Sequence, residues 1–206
     1  MTLDNAHAGG GFNPPVPTYQ GGPDYGRFVE AVRELQDHAR AADAPDDVIT
    51  KAADLLDDVN RLLAPFDADE WHSPSGRRMD LPGRGSVLSI PTDLHTGEDG
   101  RLRGTTSFRR YHLGRNGAVH GGVLSHLFDS LLGFTAFTLS GSPKNRTAFL
   151  HVNYRRIAPI DKELQVDAGI DRIEGRKIFV VGRLLDGDDV LCEAEALFVK
   201  LNPGQP

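Results

Sequence analysis

A histidine, two glycines and an aspartate nine positions after that histidine lie in HGGVLSHLFDSLLGFTAFTLS, residues 120 to 140. Gly121 and Gly122 at the start of a helix leave backbone N–H groups unpaired, a site for a negative or polarised oxygen. Asp129 is the one carboxylate in this apolar run, and burying a carboxylate without partners is costly. Together they offer the two halves of acyl transfer: amides that polarise a carbonyl, and an acid that attacks it or activates a water beside it. The plainer alternatives are a salt-bridged Asp at a polar seam and a Gly-Gly tight turn.

Helix geometry constrains this chemistry. Eight residues between Gly121 and Asp129 amount to roughly 12 Å along the axis, with the groups turned about 80° apart. One helix cannot aim both at a single carbon. Two copies packed with their helices antiparallel about a two-fold axis bring the amide of one level with the Asp of the other, so an obligate homodimer is expected. Pairing of dimers into a dimer of dimers is left open.

The elements that must position these residues follow from hydrophobic period. Val123, Leu124, Leu127, Phe128, Leu131, Leu132, Phe134 and Phe137 fall on every side of the helix, which is expected to be buried, with its phenylalanines read as core. After it come four strand-like runs, at 147 to 157, 163 to 173, 177 to 185 and 190 to 201, with Glu174-Gly175 and Asp186-Gly187-Asp188-Asp189 as hairpin turns. Before it, SVLSI (86 to 90) and GTTSFRRYHL (104 to 113) read as strands joined by a turn near 97 to 100. The sum is an α+β architecture, an antiparallel sheet around one long helix. Upstream, residues 1 to 23 are Gly- and Pro-rich and read as a disordered or loosely docked arm. Residues 24 to 66 read as a helical hairpin that packs on the main domain or on a partner subunit. Residues 67 to 85 read as a linker loop anchored by Trp71, with His72, Arg77 and Arg78 as solvated charges. The main domain is expected over 86 to 203.

Composition narrows the class. With 206 residues, 39% apolar and 25% charged, the chain has the make-up of a globular protein of one domain with an appendage. A net charge of −6 argues against a nucleic-acid surface, so an anionic ligand needs a local basic cluster, for which Arg155, Arg156, Arg176 and Lys177 are the candidates. No apolar run reads as a membrane span, and residues 1 to 22 lack the zones of a signal peptide. One cysteine, Cys192, fits a reducing compartment and reads as core; the cytoplasm is the expected location. No metal spacing, G-x-S-x-G elbow, H-E-x-x-H motif or phosphate loop is evident, and no cofactor is expected beyond the coenzyme A of a substrate. His126, three positions before Asp129, reads as a packed helix histidine.

HGGVLSHLFD, with an acid at this distance from the histidine, resembles the hotdog-fold acyl-CoA thioesterases of the phenylacetate-pathway type. TAFLHVNYRRIAPIDKELQVDAGIDRIEGRKIF through EAEALFVKLNP is most similar to the mitochondrial carboxyl-terminal modulator type of acyl-CoA thioesterase. The resemblance covers about residues 104 to 203 and implies a hotdog fold. It implies Asp129 as general base or nucleophile, the Gly121 amide as oxyanion donor beside Gly122, His120 orienting that turn, and Thr147 helping to hold the water. It implies coenzyme A contacts at Asn153, Arg155, Glu174 and Arg176, with Lys177 as a neighbour. Many relatives place Asn or Gln six residues before the histidine; this chain has Gly114 there, with Asn116 four before. The modulator type also lacks that amide and shares the threonine. Hydrolysis of an acyl-CoA thioester is the function implied. The alternatives are a non-catalytic acyl-CoA-binding or protein-interaction module and a hotdog enoyl-thioester hydratase.

Overall fold

Strands of alternating burial build one six-stranded antiparallel sheet in the order β1-β2-β4-β5-β6-β3. They are β1 (Thr92–Thr96), β2 (Leu102–Ser107), β3 (Asn145–Tyr154), β4 (Glu163–Glu174), β5 (Lys177–Asp186) and β6 (Asp189–Lys200). Helix α3 (Gly121–Ser140) lies across them, preceded in the chain by α1 (Tyr25–Ala41) and α2 (Asp46–Leu63). The computed structural model describes residues 16–69, 72–142 and 144–202; Trp71 and the first fifteen residues of the expected arm lie outside them.

The sheet seats α3 because its centre is small. Ala168, Gly182 and Ala194 stand side by side on β4, β5 and β6, and a Cβ at Gly182 would come within 2.8 Å of Leu132 Cδ2. Leu124, Leu127, Phe128, Leu131, Leu132 and Ala136 press into this trough, each at least 96% buried, against Leu164, Val180, Leu184 and Cys192. Burying a side chain of Leu or Phe size contributes about 1.5–3 kcal/mol, so this face carries much of the fold's stability. The expectation that α3 is buried all round is corrected: its other face, with Asp129, Ser130 and Phe134, stays open, and Phe134 is 38% exposed. By length and composition α3 could cross a membrane, contrary to the sequence reading, but its packed face is accounted for by the sheet.

Upstream, two expectations change. Residues 86–90 are not a strand: the Ser86 hydroxyl accepts the amides of Leu88 and Ser89, and the buried Arg33 of α1 donates to Ser86 O at 2.8 Å. The first strand is instead the polar TDLHT, paired with β2 in register Thr92 with Thr106, and the second ends at Ser107. Arg78 is not a solvated charge; it is 5% exposed and clasps Asp80 and the carbonyls of Gln20 and Gly22, docking the end of the arm on the loop. Cys192 and His126 follow expectation. Burial pushes the Cys192 thiol up to about 11, and His126 Nε2 sits 3.2 Å from Leu88 O.

Helices α1 and α2 are the expected N-terminal helical pair, joined by Ala42–Pro45. Arg109 pairs with Glu30 and Asp37 and holds α1 on residues 110–112, while Arg40 donates to Gly114 O at 3.3 Å. Helix α2 has no buried residue.

On the outer face of the sheet, Asp167 is 5% exposed and receives Arg101, Arg103 and Arg183. Burial pushes its carboxyl up, but the Arg101 hydrogen bond and the charges of Arg101 and Arg183 outweigh this and hold it below the usual carboxylate range. A depressed carboxylate contributes stability that is present above its unfolded value and lost as pH falls through the folded one. Asp167→Asn is therefore expected to cost about 2 kcal/mol at pH 7. In denaturant melts of both proteins, the difference should begin to shrink as pH falls below the unfolded carboxylate's value of about 4 and go on shrinking as the folded carboxyl, which titrates lower, takes up its proton.

Candidate active site

The turn that carries the glycines is set by residues 112–120. Asn116 (φ 53°) and Gly117 (φ 75°) occupy the centre of a tight turn closed by Ala118 N–H on Arg115 O at 3.0 Å, a type I′ geometry that favours Asn-Gly. Leu113 and Val119 bridge across it, and His120 N–H donates to His112 O at 2.9 Å. This places Asn116 at an exposed tip, where its residue type is explained by the backbone. Gly114 is tight as well: a Cβ there would lie 3.0 Å from His120 Cα and 3.4 Å from Ala118 O. A side-chain amide at 114 would press on the histidine.

His120 is the N-cap of α3, and its Nδ1 accepts the Gly122 amide at 3.0 Å. The Gly122 N–H is thus spent on the cap, and Val123 and Leu124 donate to His120 O. Among the described residues the Gly121 N–H has no acceptor, so of the two expected donors Gly121 is the one that remains available for an oxyanion. Tyr154, at the end of β3, donates to Gly121 O at 3.0 Å and shares a 2.9 Å hydrogen bond with Ser125. Sequence reasoning missed both residues. The signal was present, since Leu150, Val152 and Tyr154 alternate onto the helix side of β3.

At the other end of β3, Thr147 Oγ1 donates to Asp129 Oδ1 at 3.2 Å. That contact depends on an irregularity. With Leu150 facing the helix, strand alternation would turn Thr147 to the outer face. A β-bulge between Thr147 and Phe149 inserts Ala148 and returns Thr147 to the helix side, opposite Phe198. Asp129 and Thr147 are both exposed in the single chain.

The expected coenzyme A residues do not form one cluster in the protomer. Asn153 pairs with Glu193, whereas Lys177 pairs with Val199 at the opposite end of β6. Six residues of strand separate these ends by about 20 Å. Arg155 pairs with Glu193 and Arg156 with Asp189, so each already shares its charge; Glu174 pairs with Arg172, and Arg176 donates to Lys200 O. A cavity of about 240 Å³ lies under α1, lined by Glu30, Arg33, Arg109, Tyr111 and His112 among others. None of the candidate residues lines it; the catalytic candidates Asp129 and Thr147 sit on the open side of α3.

Residues 116–193 match the Thioesterase superfamily model, and the antiparallel sheet gripping α3 has the hotdog fold. The crystal structure of a thioesterase superfamily protein superposes with a TM-score of 0.72 at 26% identity, over 91% of this chain and 97% of that one, so the shared architecture extends beyond the hotdog domain. Over 95 residues the chain is 37% identical to acyl-coenzyme A thioesterase THEM4 of Xenopus laevis, covering 45% of this chain and 42% of the relative. Over 120 residues it is 32% identical to MIOREX complex component 3 of Saccharomyces cerevisiae, covering 56% and 42%. The chain thus spans about two fifths of the length of these curated relatives.

If Tyr154 fixes the first turn of α3, Tyr154→Phe is expected to keep the fold and to speed amide hydrogen exchange at Val123 and Leu124 by about tenfold, the effect of losing one hydrogen bond. Unchanged exchange there would mean that the His120 cap alone holds the turn.

Proposed function

We propose that the protein hydrolyses acyl-CoA thioesters to a free carboxylic acid and CoA, in sites built by two copies of the chain. The observation that carries this reading is the split of the machinery. The available Gly121 amide, braced by Tyr154, stands at the start of α3, whereas Asp129 lies midway along the helix and meets Thr147 at the other end of β3.

β3 supports the dimer. It is a ten-residue edge strand that ends the sheet, with Phe149 43% exposed, and such an edge offers unpaired backbone groups to another strand. Antiparallel pairing with a second β3, about a two-fold axis near Leu150 and His151, sets Tyr154 beside the partner's Thr147. The Gly121 amide then faces the partner's Asp129, and the open faces of the two α3 helices cover each other. The same pairing brings Asn153 and Arg155 of one copy to within about three strand spacings, roughly 14 Å, of the partner's Lys177. That is a span fitted to the phosphates of one coenzyme A.

In this site the Gly121 N–H donates to the thioester oxygen, and the donor strengthens as negative charge develops there. The partner's Asp129 takes a proton from a water whose oxygen attacks the carbonyl carbon, with the Thr147 hydroxyl holding one carboxylate oxygen so that the other faces the water. Collapse of the tetrahedral intermediate breaks the C–S bond, and the proton on Asp129 passes to the departing thiolate. The products are the carboxylic acid and the CoA thiol. His120 Nδ1 is occupied by the cap, which supports hydrolysis over a histidine-dependent hydratase.

The test is release of free thiol from acyl-CoAs of graded chain length. Asp129→Asn should keep the fold and lower kcat by about a hundredfold or more. Gly121→Pro should do the same for a separate reason: proline removes the N–H and fits the first helical position, after a residue already extended at φ −62°, ψ 133°, with its Cβ no nearer than 3.4 Å to Tyr154. Full activity in Asp129→Asn would refute the assignment. Acyl-CoA binding without thiol release in the wild type would favour the binding-module reading.

A further inference from the structure

Helix α2 is the large amphipathic element that no described residue of the protomer covers. Val48, Leu55 and Leu62 on it are 49%, 57% and 69% exposed, and Val59 is 43% exposed. Val48, Ala52, Leu55, Val59 and Leu62 alternate spacings of four and three, the seven-residue repeat of a helix that packs on another helix. Ile49 and Leu56 widen the stripe on one flank. On the other flank, where pairing helices exchange charges, stand Lys51 and Asp58, one repeat apart. Asp46, Asp47, Asp54, Asp57 and Asp58 outnumber Lys51 and Arg61, so the polar side is acidic and would be repelled by an anionic membrane surface.

We propose that α2 is an association arm whose occupant is α2 of a second copy, the two helices packing antiparallel about a two-fold axis between Ala53 and Asp54. Three requirements select this alignment together. It overlaps residues 46–61 of both helices, nearly their whole length. It stacks Val48 on the partner's Val59 and Ala52 on the partner's Leu55, so each layer sets one stripe residue against another. It brings Lys51 to within two residues of rise, about 3 Å, of the level of the partner's Asp58 on the same flank, twice by symmetry. Sliding the helices by one repeat would instead set Asp58 beside the partner's Asp58. A parallel pair would place Lys51 and Asp58 against the apolar flank of Ile49 and Leu56. Asp58 meets Arg61 of its own helix, but that pair is about 70% exposed on both sides and leaves the carboxylate open to a second cation. Arg40 anchors the last turn of α1 on Gly114, and only Ala42–Pro45 separate the two helices, so the arm springs from a fixed point on the body.

This association is separate from the pairing through β3 and does not depend on the catalytic reading. The test is sedimentation of the full chain over a range of concentrations, with charge-swap variants on exposed positions. Lys51→Asp and Asp58→Lys should each lower the association constant by about tenfold, because each turns two attractive pairs into repulsive ones. The double variant should recover to about the wild-type value, an outcome that only antiparallel self-pairing produces. Leu55→Asp with Val59→Asp should abolish the same association without altering near-UV circular dichroism, since neither side chain is buried in the protomer. A double charge swap no better than the single ones, or association untouched by Leu55→Asp with Val59→Asp, would overturn the proposal. Asp129→Asn should associate as wild type does, so loss of activity and loss of this pairing are read separately.

Discussion

The registration of α3 on β3 is the constraint from which the rest follows. Two side-chain contacts fasten the helix to the strand, Tyr154 with Gly121 and Ser125 at one end and Thr147 with Asp129 at the other. The small residues beneath α3 leave room for it to sit close, but a trough of Ala and Gly does not by itself fix a helix along its length. The end contacts do, and the helix and strand then behave as one unit carrying an amide and an acid at a set separation. Neither group can serve the other within that unit, which is why a chemical reading of the site becomes a statement about assembly.

The polar contacts fall where a single chain leaves surface uncovered. Asp129, Ser130 and Phe134 share the open side of α3, and among the described residues β3 is the last strand of the sheet, with its outer edge unpaired. A carboxylate beside a phenylalanine on an open face gains little from the protomer, whereas in the proposed dimer it would become a desolvated group with one hydroxyl partner, where electrostatic interactions strengthen. Helix α2 poses a different problem. Its apolar side is as regular as a core helix's, yet no described residue of the protomer covers it.

Long, strongly periodic elements were legible in the sequence. The helix from His120 to Ser140 and the four strands after it follow from period alone, since each buries one face against the same core. What failed was set by contacts distant in sequence. SVLSI alternates like a strand, but the Ser86 hydroxyl and Arg33, from a helix fifty-three residues away, bind its backbone first. TDLHT has little strand character and becomes one because β2 offers an edge. Arg78 looks like any loop charge until the arm folds over it. At the site, Asp129, Gly121 and Thr147 could be named from pattern and resemblance. The bulge that turns Thr147 inward leaves no mark in the residue types, while Tyr154 could have been found by continuing the alternation from Leu150 and Val152. The basic residues read as one cluster belong to two ends of the sheet, because proximity in sequence says nothing about strand register.

The most direct measurement is complementation between two dead chains, Asp129→Asn and Gly121→Pro, mixed, unfolded together and refolded, with thiol release assayed against each alone. If the amide and the acid of each site come from different copies, random pairing makes half the dimers mixed and gives each of these one intact site, so about a quarter of wild-type activity returns. If each chain holds a whole site, every site keeps one defect and the mixture stays as inactive as its parents, which would contradict the account.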